Sequence, residues 1–145
     1  MDSKKILVVE DDKILSKVIK NKLESSDYQV EIVETGIQAL EWLDQNENNV
    51  DMVWVDHYLP GDIDGLQLVS AIKTNPDRSP LPVFVVSNSD NKERYYTYIS
   101  LGSVKYYTKA ETSLDQIVDD INAMLNNEES ENEVEQQWKH TTMNT

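Results

Sequence analysis

Short apolar runs alternate along this chain with longer stretches whose apolar residues recur every three or four positions. The short runs predict five strands, at residues 6–9, 30–33, 52–55, 83–86 and 104–107. The third and fourth runs are apolar throughout, which is typical of strands that helices cover on both faces of a sheet. The alternation of strands and helices predicts a parallel α/β domain.

The longer stretches have the spacing of amphipathic helices. Their stripes are Ile14, Leu15, Val18, Ile19 and Leu23; Ala39, Leu40 and Leu43, behind a capping Thr35; Leu68, Val69 and Ile72; and Leu114, Ile117, Val118, Ile121, Met124 and Leu125. Segment 90–101 supplies a further helix, in which Tyr96 and Ile99 have the spacing of a buried face. Tyr95 and Tyr98 are then expected to be more exposed, as ordinary surface aromatics or as anchors for a partner.

Five strand–helix units with short, right-handed connections favour a flavodoxin-like, doubly wound, five-stranded parallel sheet in the order 2-1-3-4-5, with helices on both faces. The length of 145 residues suits one domain, which we place at residues 1–127. The acidic, polar segment 128–145 is typical of a disordered tail or a frayed helix. Val134 and Trp138 could alternatively extend the last helix towards a partner.

The composition argues against several classes of function and site. A formal charge of −14 opposes direct binding to nucleic acid, whose phosphates it repels. The absence of cysteine and the presence of only two histidines exclude disulfides, thiolate metal sites and multi-histidine metal centres. No apolar run approaches the roughly 18 residues that span a bilayer, and the N-terminus lacks the pattern of a signal peptide. We therefore expect a cytoplasmic protein without membrane association.

Polar residues stand at the ends of the predicted strands. Glu10 and Asp11 follow the first strand, Asp56 the third and Ser87 the fourth, while Lys109 comes shortly after the fifth. Because the carboxyl ends of parallel strands meet at one rim, these groups are expected to converge. Three neighbouring carboxylates require a compensating cation, and oxygen-only ligands select Mg²⁺, Mn²⁺ or Ca²⁺, of which Mg²⁺ best suits a site shared with phosphate.

Each of these residues also has a structural interpretation. The acidic residues 10–12 could cap the first helix, and we assign that role to Asp12. Asp56 could end its strand in a turn, and Ser87 and Lys109 could be ordinary surface residues. Together with a metal, Asp56 could instead be a nucleophile towards a phosphoryl group, whose oxygens Lys109 and Ser87 would bind.

In this order, the residues resemble the receiver domain of bacterial response regulators over about residues 4–125. The resemblance rests on Glu10, Asp11, Asp56, Ser87, Tyr106 and Lys109. Residues 56–65 are also similar to the family's D-x-x-(M/L)-P-x-x-D-G loop with one additional residue, and residues 35–40 resemble its entry into the second helix.

The resemblance implies a stand-alone, chemotaxis-regulator-like signalling switch of a two-component phosphorelay, and not an enzyme with an external substrate. A histidine kinase or a histidine phosphotransfer protein would donate a phosphoryl group from phosphohistidine to Asp56, with Mg²⁺ as cofactor. The implied metal ligands are Glu10, Asp11, Asp56 and the backbone carbonyl of Tyr58.

The resemblance also implies how the switch works. Ser87 would move towards the phosphate and Tyr106 would rotate inward, which changes the surface of the fourth helix, fifth strand and fifth helix. That surface would serve an unidentified downstream protein or a phosphorylation-dependent homodimer. Alternatively, Tyr106 only occupies its position in the strand and has no role in switching.

Several positions depart from the family's pattern. Glu10 stands where aspartate is more common, and Asn88 is larger than the usual small residue, which could narrow access to Asp56. Ala110 replaces the familiar proline after Lys109, so that peptide bond is expected to be trans and the reach of Lys109 is less certain. Asn88 and Ala110 favour an alternative, a pseudo-receiver that only binds proteins.

A second alternative is a Mg²⁺-dependent aspartyl phosphohydrolase. Such enzymes commonly carry a second acid two residues after the nucleophile, where this chain has Tyr58. We regard this class as less favoured than the receiver.

His57 and Tyr58, which follow Asp56, could tune the lifetime of a phosphoryl group.

Overall fold

The structure is a computed structural model, and it describes residues 3–46, 49–88, 91–102 and 104–126. Within these ranges strands and helices alternate without exception. Their bounds are β1 Lys5–Val9, α1 Lys13–Glu24, β2 Gln29–Val33, α2 Gly36–Gln45, β3 Met52–Asp56, α3 Gly65–Thr74, β4 Val83–Ser87, α4 Lys92–Ser100, β5 Val104–Thr108 and α5 Leu114–Leu125. Segment 128–145, with Val134 and Trp138, lies outside the described residues, so the boundary at 127 stays a prediction.

The five strands form one parallel sheet in the order β2-β1-β3-β4-β5, as predicted. In the centre of the sheet Val9 on β1 pairs with Val55 on β3, and Asp56 on β3 pairs with Val86 on β4. This register brings the carboxyl ends of β1, β3 and β4 to the same edge. None of the described helices is long and apolar enough to cross a bilayer.

Two apolar layers cover the two faces of the sheet. Trp54 and its alternate neighbours along β3 face a layer that contains residues of α1 and α5. Val53 and Val55 face the other layer, which contains residues of α2, α3 and α4. Successive strand residues point to opposite faces of the sheet. A residue just beyond a strand that continues this alternation therefore packs against the helices on its own face.

Side-chain caps begin the helices that follow the carboxyl ends of the strands. Asp12 accepts hydrogen bonds from the backbone N–H groups of Ile14 and Leu15, which confirms its predicted role as a cap. Thr35 caps α2 through the N–H of Gln38, also as predicted. Each cap fixes where a loop ends, and so positions the residues between strand and helix.

The predicted stripe of α1 is only partly correct. Ile19 and Leu23 are buried, but Ile14 is 80% exposed and Val18 is 46% exposed. The buried Ser16 lies on the inward line instead. The five apolar positions span more of the helix circumference than the sheet covers, so the apolar residues at one edge remain in solvent.

The predicted burial of α4 is wrong. Tyr98 is fully buried, whereas Tyr96 is 58% exposed, and Tyr95 and Ile99 are half-buried. The hydroxyl of Tyr98 finds a buried partner in His57, and this contact allows a polar aromatic to face the core. The helix begins at Lys92 behind Asn91, which caps it, and Asp90 lies outside the described residues.

Candidate functional site

The strand ends bring the predicted site residues to one edge of the sheet. Asp56 and Ser87 are the last residues of β3 and β4, and Glu10 directly follows β1. All three are buried, with exposed fractions of 7%, 0% and 2% in that order. Water therefore screens the charges of Glu10 and Asp56 only weakly, and these charges strongly influence what can bind here.

The predicted acidic cluster is present. Glu10, Asp11 and Asp56 each offer a carboxylate oxygen, and these three oxygens lie within 4.8 Å of one another. Asp11 is exposed, so the cluster opens to solvent on its side. Oxygen-only ligands with an open side are the kind of site that suits a hard divalent cation, which could keep several waters.

Burial and the neighbouring charge of Asp56 raise the cost of ionising Glu10. Burial, followed by the negative charge of Asp56, raises the pKa of Glu10 to about 7. The backbone N–H of Asp12 donates to Oε2 of Glu10 (3.1 Å) and opposes that rise. The site thus has more negative charge than its own donors and cations neutralise, and a divalent ion would complete the balance.

Lys109 reaches the cluster. Its Nζ atom lies 3.4 Å from Oδ2 of Asp56 and 3.5 Å from Oε1 of Glu10. The backbone N–H of Lys109 donates to the carbonyl of Ser87 (2.8 Å), which ties the loop after β5 to the end of β4. The peptide bond before Ala110 is trans, as expected, and the ammonium group nevertheless contacts both carboxylates.

Both oxygens of Asp56 already have donors. The backbone N–H of Tyr58 donates to Oδ1 (3.1 Å), and the ammonium of Lys109 contacts Oδ2. The peptide of Tyr58 therefore lies beside the carboxylate. The predicted role of the Tyr58 carbonyl as a metal ligand stays a prediction.

The two predicted switch residues lie on neighbouring strands. Ser87 is fully buried and pairs in the sheet with Thr108 of β5. Tyr106 is half-buried on β5, and its ring packs against Tyr95 and Tyr98 of α4. Their movement on phosphorylation stays a prediction. Asn88 is exposed, so its size does not fill the buried part of the site.

Sequence reasoning missed the contacts made by the two residues after Asp56. The imidazole Nδ1 of His57 lies 2.6 Å from the hydroxyl of Tyr98, and Arg94 donates to the hydroxyl of Tyr58 (2.9 Å). One signal was available for His57: it continues the alternation of Val53 and Val55, so it points to the layer that contains α4. Nothing in the local pattern identifies Tyr98 as its partner.

Comparison with known proteins matches most of the chain to one family. The family model of the response regulator receiver domain matches residues 6–126. The chain is 33% identical over 109 residues to the two-component response regulator ORR8 of rice, and the match covers 75% of this chain and 88% of ORR8. It is 32% identical over 114 residues to the response regulator Rcp1 of Synechocystis, covering 74% and 77%. A match to the putative two-component response regulator ARR21 of Arabidopsis thaliana spans only 16% of that protein.

Solved structures agree with this assignment. The crystal structure of the Mn²⁺-bound form of Rcp1 has a TM-score of 0.72 and 31% identity, and covers 83% of this chain and 93% of that one. The phosphorylated cyanobacterial phytochrome response regulator RcpA has a TM-score of 0.72 and 30% identity, with coverages of 84% and 93%. Together with the strand order and the cluster at the edge of the sheet, these matches show that the chain belongs to the response regulator receiver domain family of two-component signalling.

Proposed function

We propose that this chain is a phosphorylation-dependent switch that accepts a phosphoryl group on Asp56 with the help of Mg²⁺. The observation that carries the proposal is the arrangement of one carboxylate oxygen each from Glu10, Asp11 and Asp56 within 4.8 Å, with the ammonium of Lys109 at 3.4 Å from Asp56. Such a site combines a nucleophilic carboxylate, a place for a divalent cation and a fixed positive charge. These are the three components that phosphoryl transfer to aspartate requires.

The residues present fit a divalent metal. The carboxylates of Glu10 and Asp56 are buried, and Lys109 is the cation in contact with both of them in the described part of the chain. When bound, Mg²⁺ would neutralise phosphate oxygens and the repulsion among the carboxylates. The similar protein Rcp1 has been solved with Mn²⁺, a cation of the same hard class. The proposed ligands are Glu10, Asp11, Asp56 and the backbone carbonyl of Tyr58.

The proposed reaction uses a carboxylate oxygen of Asp56 as the nucleophile. That oxygen forms a bond to the phosphorus of a phosphohistidine, and the phosphorus–nitrogen bond breaks with its electron pair left on the imidazole. Lys109 and Ser87 would bind the oxygens of the transferred group. Later attack by water on phosphorus breaks the acyl phosphate, which returns the carboxylate of Asp56 and releases inorganic phosphate. The similar protein RcpA has been solved in a phosphorylated form.

We propose that a partner's phosphohistidine approaches over the beginning of α1. Ile14 is 80% exposed and lies three residues after Asp11 of the cluster. The helix carries four of the thirteen basic residues of a chain with a net charge of −14: Lys13, Lys17, Lys20 and Lys22, of which Lys22 forms an ion pair with Asp115 of α5. An apolar residue flanked by ammonium groups favours a donor with an apolar, acidic face, either a histidine kinase or a histidine phosphotransfer protein.

The output is proposed to lie on α4, β5 and α5 and to act on a separate protein or through a homodimer. Ser87 would move towards the phosphoryl group and Tyr106 would turn inward to change this surface. In this proposal residues 1–127 form the receiver domain and 128–145 a tail outside it.

The two alternatives are less well supported. Asn88 is exposed and Lys109 contacts both buried carboxylates, so the two departures that favoured a pseudo-receiver leave the cluster assembled. The hydroxyl of Tyr58 accepts a hydrogen bond from Arg94, and no second acid stands at this position for a phosphohydrolase.

Acetyl phosphate tests the proposed function without a partner. The chain is incubated with acetyl phosphate and Mg²⁺, or with EDTA, and its labile phosphate is measured. We expect phosphate only with Mg²⁺ in the wild type and in Asp62→Asn, which changes an exposed acid of the same loop. We expect none in Asp56→Asn. Unchanged labelling of Asp56→Asn, or no labelling of the wild type, would contradict the proposal.

A further inference from the structure

His57 and Tyr98 form a buried pair next to the site. The ring nitrogen Nδ1 of His57 lies 2.6 Å from the hydroxyl of Tyr98, across 41 positions of sequence. The exposed fractions are 7% for His57 and 0% for Tyr98. A hydrogen bond between two groups this poorly exposed is costly to break, because water cannot replace either partner without entering the core.

A second contact joins the same two segments. Arg94 donates to the hydroxyl of Tyr58 (2.9 Å), and its guanidinium lies 5.2 Å from the centre of the Tyr58 ring. Arg94 and Tyr98 are four residues apart in α4, so they lie on one face of the helix. The two residues that follow Asp56 are thus attached to successive turns of α4.

Tyr98 in turn contacts the predicted switch residue. The ring centres of Tyr98 and Tyr106 are 5.6 Å apart, and those of Tyr95 and Tyr106 are 5.9 Å apart. A shift of Tyr98 therefore changes the space that the half-buried Tyr106 ring occupies. The path from Asp56 to Tyr106 consists of one peptide bond, one hydrogen bond and one ring contact.

The backbone beside Asp56 is sensitive to what binds there. Oδ1 of Asp56 accepts the N–H of Tyr58 at 3.1 Å. A metal ion and a phosphoryl group would both bind to oxygens of this carboxylate and compete for the lone pairs that the N–H uses. An ion or phosphoryl group that takes the lone pair used by this N–H would displace the peptide that links His57 to Tyr58, and the side chains of both residues contact α4.

We propose that the His57–Tyr98 hydrogen bond transmits the state of Asp56 to Tyr106 and to the outward surface of α4. His57 and Tyr98 are positioning residues here, since neither contacts a reacting atom. The inference rests on the proposed function of Asp56. It adds a route along the main chain and α4, beside the expected movement of Ser87.

The test uses the full chain labelled with 3-fluorotyrosine. It follows the ¹⁹F resonance of Tyr106, which is assigned as the resonance that disappears in Tyr106→Phe. Mg²⁺ with beryllofluoride serves as the phosphoryl analogue. Binding of beryllofluoride is read separately from its own ¹⁹F resonance. We expect the Tyr106 resonance of the wild type to move when beryllofluoride binds.

Tyr98→Phe removes only the hydroxyl and keeps the ring contact with Tyr106. We expect this variant to bind beryllofluoride while the ratio of shifted to unshifted Tyr106 falls by about five- to tenfold, the effect of one hydrogen bond. Tyr95→Phe is the matched control, because the hydroxyl of Tyr95 makes no hydrogen bond within the described ranges although its ring contacts Tyr106. It should keep the full response.

A double variant, His57→Phe with Tyr98→Phe, replaces both partners with apolar rings and guards against a folding defect caused by one unpaired group. If the hydrogen bond is the link, the double variant loses no more of the response than Tyr98→Phe does. If the Tyr106 resonance of Tyr98→Phe shifts as fully as in the wild type while beryllofluoride is bound, this inference is wrong and the proposed function is unaffected. Failure of the wild type to bind beryllofluoride would overturn the proposed function, and this inference with it.

Discussion

The ammonium of Lys109 lies 3.4 Å from the carboxylate of Asp56, although alanine and not proline follows the lysine. The loop after β5 achieves this because the backbone N–H of Lys109 is bound by the carbonyl of Ser87 (2.8 Å). The position of the charge thus depends on a main-chain contact between β4 and the loop, and not on the ring of a proline.

Replacing Lys109 by methionine should change metal binding and phosphorylation in opposite directions. The variant loses a positive charge beside the cluster, so its affinity for Mg²⁺ should rise by about two- to tenfold. Its rate of phosphorylation by acetyl phosphate should fall by about ten- to a hundredfold, because the developing charge on phosphate loses a partner. Calorimetry measures the affinity and intact mass follows the rate. Lys92→Met, at an exposed position on α4, should alter neither.

Charge repulsion in the cluster should reduce the stability of the metal-free protein. In EDTA, Asp56→Asn should raise the free energy of unfolding by about 1–2 kcal/mol, because it removes one of two buried, neighbouring carboxylates. Mg²⁺ should stabilise the wild type strongly and the variant weakly. Urea unfolding measures both effects. Equal stabilisation of wild type and variant by Mg²⁺ would show that Asp56 is not a ligand.

Acid should weaken the contact between β5 and α5. Burial alone would raise the pKa of Asp120, but hydrogen bonds from Tyr107 (2.5 Å) and Lys105 (3.0 Å) outweigh it and hold the pKa below its ordinary value of 3.8. A lowered pKa of an acid adds stability above the pKa of the unfolded chain, and this stability is lost as the pH falls through the pKa of the folded state.

The expected result is therefore a loss of stability below about pH 4 that is smaller in Asp120→Asn than in the wild type. At pH 7 the substitution should cost about 1–2 kcal/mol, because the hydrogen bonds from Tyr107, Lys105 and Gln116 lose a charged acceptor. Urea unfolding at several pH values measures this. Asp119→Asn, at the exposed neighbouring position, should retain the pH dependence of the wild type; identical pH profiles for the two variants would refute the assignment.

The first residue of α3 must be small because the main chain lies against it. A methyl group on Gly65 would lie 2.6 Å from the carbonyl oxygen of Asp56 and 2.7 Å from Cα of His57. Gly65→Ala should cost about 1–3 kcal/mol of unfolding free energy, since backbone must move. At Gly36 the obstacle is the flexible side chain of Ile63, so Gly36→Ala should cost less. Urea unfolding ranks the two, and the reverse order would contradict this explanation.

The sequence was sufficient for the sheet and for the cluster. Continuous apolar runs such as 83–86 are strong signals because both faces of a central strand are buried. Glu10, Asp56 and Ser87 followed from the same argument, since the ends of parallel strands must meet. The prediction depended on main-chain topology, which local patterns largely determine.

The face of α4 and the role of His57 could not be predicted. The helix presents tyrosines on several sides, so periodicity does not identify its inner face, and the burial of Tyr98 depends on a partner 41 positions away. In α1, the exposure of Ile14 depends on how far the sheet edge extends. Both errors concern tertiary contacts, which override local patterns.

The proposed switch requires that Asp56 forms an acyl phosphate. Borohydride reduction of the chain after treatment with acetyl phosphate and Mg²⁺, followed by tandem mass spectrometry, tests it most directly, because an aspartyl phosphate is reduced to homoserine. We expect homoserine at position 56, and none there when EDTA replaces Mg²⁺. Homoserine at another acidic position, or none at all in a chain that has gained phosphate, would contradict it.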